Sequence, residues 1–85
     1  MADAESHSST TPRQRLRDLP PSAKLVAKTL DYEGKQTQSQ LAESTMLSRR
    51  TVRDALDRLE RAHIADSKVS FMDARKRIYW LTASL

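Results

Sequence analysis

The sequence predicts an α+β fold, mostly helical, with three helices followed by a C-terminal β-hairpin. Three observations carry that prediction. Val52, Ala55, Leu56 and Leu59 fall at i, i+3, i+4 and i+7, the spacing of one helical face. Thr37 with Gln40 has the T-x-x-Q spacing of a capping box, so another helix opens near Gln38. After Ala62-His63 the pattern changes to period two, and residues 77–82 are rich in aromatic and β-branched side chains.

Taken in order, residues 1–12 (MADAESHSSTTP) are polar and aperiodic, and are expected to form a disordered tail. Residues 13–21 are a basic arm or linker in which Arg13, Arg15 and Arg17 alternate and Leu16 and Leu19 stand three apart. Two readings of it stay open. It is either a solvated arm or short helical turn that drops its leucines onto the domain, or an arm that follows a phosphate backbone or groove. Pro20-Pro21 closes the segment, and the domain proper is expected over 22–85.

Ser22 is expected to cap a first helix running to about Glu33, burying Leu25, Val26, Ala27, Leu30 and Tyr32. Gly34, the only glycine in the chain, falls where a left-handed residue ends a helix. The second helix runs from about Gln38 to Ser44 with Leu41 and Ala42 inward, and Thr45-Met46-Leu47 makes a tight turn with an apolar residue inside it. Ser48 caps the third helix, whose outer side carries Arg50, Asp54, Asp57 and Arg61 with Arg49 and Arg53 flanking. A short helix, a tight turn and a longer helix are the geometry of a helix-turn-helix. Strands over Ile64–Met72 and Arg77–Thr82, joined by the glycine-free turn 72–76, add a hairpin wing. Alternation suggests that Val69, Phe71, Ile78 and Trp80 share one sheet face.

Composition excludes several classes. With 85 residues and 38% hydrophobic content the chain makes one small domain with a modest core. It has no cysteine, hence no disulfide or thiolate metal site. Its two histidines, His7 and His63, are far apart, and there is no nucleophile–base pair, phosphate-cradling glycine loop or ligand cluster. Neither an enzyme nor a metal sensor is expected, and no cofactor. No apolar run approaches the ~20 residues that cross a bilayer, and the N-terminus lacks a signal pattern. A cytoplasmic chain that meets no membrane is expected. The net charge is +4, and its placement is informative. Residues 1–47 balance, whereas residues 48–63 hold five arginines against three acids and residues 64–85 four cations against two acids. The whole excess lies in the third helix and the hairpin, which suits a polyanion.

Residues 37–43 (TQSQLAE), 47–60 (LSRRTVRDALDRLE) and the basic-tipped hairpin resemble winged helix-turn-helix regulators of the MarR/ArsR-like class, especially the short single-domain archaeal type. The resemblance covers roughly residues 19–82. It implies sequence-specific binding of double-stranded DNA for transcription regulation, commonly as a homodimer on an inverted repeat. A monomer stays open as the alternative, and no small-molecule effector is evident. Such families usually carry glycine just after the third helix, where this chain has His63, which must then adopt a left-handed conformation.

On this reading the third helix enters the major groove, with Arg49, Arg50 and Arg53 reaching base edges or phosphates. Ser48 and Thr51 are phosphate contacts beside the helix-start N–H groups, and Gln38 and Ser39 touch phosphate from the second helix. Asp54 either orients Arg50 or Arg58 at i±4 or accepts from cytosine N4. Arg75, Lys76 and Arg77 straddle the neighbouring backbone or minor groove. The competing reading is a winged-helix protein-interaction module within a transcription assembly; RNA binding is a lesser variant. Leu16, Leu19, Tyr79, Trp80 and residues 81–85 are candidates for a dimer interface.

Overall fold

A computed structural model describes residues 11–83 and 85 of the chain. Its elements run α1 (Pro12–Arg17), α2 (Pro21–Glu33), β1 (Gln36–Thr37), α3 (Gln38–Thr45), α4 (Arg49–Arg61), β2 (Ala65–Val69) and β3 (Arg77–Leu81). The predicted winged helix-turn-helix is present, with an extra short helix in front and an extra short strand beside the hairpin. The three helices expected from the sequence are α2, α3 and α4. The disordered tail expected for residues 1–12 lies outside the described residues except for Thr11 and Pro12, which instead open α1.

The segment 13–21 opens as a short helix that sets Leu16 and Leu19 onto the domain, one of the two readings left open for it. Thr11 accepts from the Gln14 N–H (3.1 Å) and Gln14 Oε1 accepts from the Thr11 N–H (3.0 Å), a complete capping box, with Pro12 in the first turn where its missing N–H costs nothing. Leu16 is buried against the domain, and Arg15 Nε donates to the Ala62 carbonyl (2.8 Å), satisfying an orphan acceptor at the end of α4. α2 begins two residues earlier than expected. Pro20, not Ser22, is its N-cap, and no side chain caps it. Its buried face is Ala23, Val26, Ala27 and Leu30, so Leu25 (43% exposed) and Tyr32 (88% exposed), expected inside, lie outside. Both err by one helical step: the true stripe is i, i+3, i+4, i+7 counted from Ala23.

α3 and α4 start as the sequence predicts. Thr37 and Gln40 form the second capping box, and the Ser48 hydroxyl accepts from the Thr51 N–H (3.1 Å). In the turn between them Met46 takes a left-handed φ of 62° and is exposed, while Leu47 packs on the core. The core joins Val26 and Leu30 of α2, Leu41 of α3, Val52, Leu56 and Leu59 of α4, and Ile64 and Tyr79 of the sheet region.

α4 ends in a Schellman motif. The Ile64 N–H donates to the Leu59 carbonyl (2.9 Å) and the His63 N–H to the Glu60 carbonyl (3.0 Å), with Leu59 and Ile64 both fully buried. His63 accordingly has φ 58°, the left-handed conformation its position demands. A non-glycine residue there costs about 1–2 kcal/mol, part of which glycine would return through its freer unfolded state. His63→Gly is therefore expected to raise stability by about 0.5–1 kcal/mol, read as a higher urea midpoint at unchanged slope.

The sheet is antiparallel in the order β1-β3-β2. β3 pairs Lys68↔Ile78, Ser67↔Tyr79 and Asp66↔Trp80 with β2, and Thr37↔Ile78 with β1. Residues directly opposite share a face. Val69 therefore opposes Arg77 and lies on the Tyr79 face, away from Ile78 and Trp80. The shared face expected for Val69, Phe71, Ile78 and Trp80 does not exist, since Phe71 lies beyond the strand and is 99% exposed. The dimer candidates are also largely used at home: Leu16 and Tyr79 are in the chain's own core, and Leu19, Leu81 and Leu85 pack against it.

Tyr79 has a titration consequence. Burial pushes its phenol above the ordinary value of 10.0, with the Glu60 carboxylate adding to the shift and Arg77 and Arg53 opposing it. A folded pKa above the unfolded one gives a contribution fully present below the unfolded pKa and lost as pH rises through the raised value. Urea stability is thus expected to fall as pH climbs past about 10, and Tyr79→Phe should flatten that alkaline decline.

Candidate nucleic-acid interface

Helix α4 divides its charges along its length. Arg58 Nε bonds Asp54 Oδ2 (2.9 Å) and Arg61 Nη2 approaches Asp57 Oδ2 (3.2 Å), so the downstream arginines neutralise the acids of the exposed face. Asp54 is thereby tied to Arg58 and not to Arg50. Among the described residues, Arg50 and Arg53 have no hydrogen-bonded or ion-paired side-chain partner. These two arginines line a shallow groove with Asp54 and Asp57 on the outer side of the helix. The N-terminal half of α4 is left cationic, and its first backbone N–H groups add to that field.

Arg49 is built in differently. Its Nη2 donates to Ser39 Oγ (2.7 Å), and Gln38 Nε2 donates to the Arg49 carbonyl (3.2 Å). The start of α3 thus braces the start of α4 across the turn. Ser48 is spent as a cap and also donates to the Thr51 hydroxyl (2.9 Å), so both side chains are already engaged within the helix start.

The wing closes the other side. Gln38, Ser39 and Arg49 face Arg75, Lys76 and Arg77 across a cleft that Thr37 and Asp73 also line. The elements are held in register because Thr37, the N-cap of α3, is itself paired to Ile78 in the wing. Arg77 Nε donates to Ser67 Oγ (3.2 Å) and the Ser67 hydroxyl donates to Glu60 Oε2 (2.8 Å), tethering the wing to α4. Six of the predicted residues therefore converge on the cleft: Gln38, Ser39, Arg49, Arg75, Lys76 and Arg77. Arg50, Arg53 and Asp54 lie instead on the outer face of α4, with Ser48 and Thr51 at its start.

Asp73 is the residue that the sequence reading passed over. Its Oδ1 accepts from the Arg75 N–H (3.0 Å) and from Arg75 Nε (3.3 Å), fixing the turn that carries the cations. Those two bonds, backbone first, hold its carboxyl below the ordinary carboxylate value. The signal was present as D-x-R inside a glycine-free turn, where an aspartate bonds the backbone two residues on. Among the described residues there is no group of three or more possible metal ligands, and no helix is long and apolar enough to cross a membrane.

No family model and no curated protein matches the chain. Solved structures do. The chain is similar to the transcriptional regulator PA4135, with 25% identity and a TM-score of 0.71 over 95% of this chain and 61% of that one. It is similar to reduced AbfR bound to DNA, with 25% identity and a TM-score of 0.71 over 95% of this chain and 60% of that one. The S. aureus MepR–DNA complex matches at 23% identity and TM-score 0.71, over 95% of this chain and 69% of that one. The chain thus spans about three fifths of the length of PA4135 and AbfR. Its fold is the winged helix-turn-helix of MarR-like transcriptional regulators.

Proposed function

We propose that the chain is a transcriptional regulator that binds double-stranded DNA sequence-specifically, as a homodimer, with α4 in the major groove and the wing on the adjacent backbone or minor groove. One observation carries the reading. Asp54 and Asp57 of α4 are paired with Arg58 and Arg61, while Arg50, opposite the core, and Arg53, flanking it, are exposed and have no ion-pair partner among the described residues. A helix kept only for packing has no use for that asymmetry. In a groove it places free guanidiniums against base edges, and a bidentate arginine on guanine O6 and N7 supplies about 1–3 kcal/mol of discrimination.

The remaining roles follow from what each side chain has left to give. Arg49, braced by Ser39, is positioned for a phosphate, as are the N–H groups at the start of α4. Gln38, Ser48 and Thr51 sit beside that same phosphate path. Arg75, Lys76 and Arg77 reach the neighbouring backbone, and Asp54 orients Arg58. The likeness to AbfR and MepR, both solved on DNA, supports a duplex as the partner.

Amide chemical-shift mapping tests the surface. Titration with duplex from upstream of the chain's own gene is expected to move residues 38–39, 48–54 and 75–77 together. Shifts confined to the exposed side of α2 around Leu25 and Tyr32 would contradict the assignment and return the chain to the protein-contact reading.

A further inference from the structure

The wing tip holds two side chains that the cation-based reading leaves unused. Phe71 is 99% exposed and Met72 91% exposed, adjacent in the chain, whereas the comparably exposed Tyr32 and Met46 stand singly elsewhere. They are displayed by an ordered turn. The Ser70 N–H donates to the Lys76 carbonyl (2.7 Å), the Lys76 N–H to the Asp73 carbonyl (3.0 Å) and the Met72 N–H to Ser70 Oγ (3.2 Å). Arg75 and Lys76 are exposed on the same turn, and its one acid, Asp73, is tied to Arg75.

We infer that Phe71 and Met72 form an apolar wedge that enters the minor groove and partly unstacks a base step, kinking the duplex. This rests on the duplex-binding reading above and adds a deformation step to it. Charge selects the occupant: an apolar tip beside Arg75, Lys76 and Arg77 is drawn to a polyanion, whereas a protein core would have to bury those cations. Placement selects the groove. The cations of the tip share the cleft with Gln38, Ser39 and Arg49 at the start of the helix pair, so a duplex seated there brings its next groove to the tip. Proteins that bend DNA from the minor groove use phenylalanine and methionine in this way, the unstacking cost being offset by the wider contact that the bend permits. The wedge makes the chain a reader of deformability, favouring a TA or CA/TG step at a position that no polar side chain contacts.

The test uses the whole chain, Phe71→Ser/Met72→Ser, and circularly permuted fragments of the DNA upstream of its own gene, with permanganate reactivity to report unstacked thymines. The wild type is expected to bend the fragment by about 20° or more and to make a thymine in the bound segment hyperreactive. The variant should lose both signals and about tenfold in affinity, with unchanged thermal melting because both side chains are solvent-exposed. Binding by the wild type without bend or hyperreactivity, or an undiminished distortion by the variant, overturns the wedge and leaves the duplex reading standing. No gel shift by the wild type overturns the duplex reading itself. Capture of the wild type, but not the variant, by phosphatidylglycerol vesicles in that case would make the tip a membrane contact instead.

Discussion

Arg50→Ala/Arg53→Ala is expected to weaken binding to the specific duplex by at least about 30-fold, with the fold intact. Each guanidinium contributes about 1 kcal/mol, the low end for a bidentate base contact. Both residues are exposed and neither is ion-paired, so their removal leaves no buried charge and opens no cavity. Comparison of two duplexes gives the experiment its meaning. If the arginines read bases, the loss on the specific duplex exceeds the loss on a shuffled one. If they hold phosphates, both fall together and the salt slope drops by about one per contact removed. Arg58→Ala is the internal control. It breaks the ion pair that neutralises Asp54, and so should lower affinity modestly by adding negative charge to the same face.

Leu59→Ala should produce the largest change in stability, about 2–5 kcal/mol. Leu59 is fully buried, and it also packs as the residue whose carbonyl receives the Ile64 N–H at the end of α4. The cavity therefore opens where the helix joins the sheet. A domain of this size commands little more than about 5 kcal/mol in total, so the variant should keep at most about 3 kcal/mol and unfold at a much lower temperature than the wild type. Urea denaturation followed by circular dichroism measures it. Leu25→Ala, at an exposed position, should shift stability by no more than about 0.5 kcal/mol, and an equal effect at both sites would contradict the core described above.

The capping boxes at Thr37 and Ser48's cap were legible because they are local: a hydroxyl and an N–H three residues away decide them. The face of α4 was legible because four apolar residues at helical spacing leave one solution. Thr11 and Gln14 make a second T-x-x-Q of the same kind, and only the surrounding polarity hid it. The sheet was harder. Each strand alternates correctly within itself, but the relative parity of the two depends on the length and path of the 70–76 turn, and that turn has no glycine to announce its type. One step of parity sent Val69 to the Tyr79 face, and β2 ends at Val69, which leaves Phe71 beyond it in solvent. Within the candidate site, the residue types were legible and their division of labour was not. That Arg49 is braced by Ser39 while Arg50 and Arg53 stay free depends on the crossing of α3 and α4, a tertiary fact.

The central claim is that this cationic face reads a DNA sequence. Fluorescence anisotropy with the DNA upstream of its own gene and with a shuffled duplex, each at two salt concentrations, tests it most directly. A preference of about 10³-fold or more for the upstream duplex, with affinity for both falling steeply as salt rises, is the predicted result. Equal affinity for the two duplexes, or no binding to either at concentrations where the chain is folded, would contradict it.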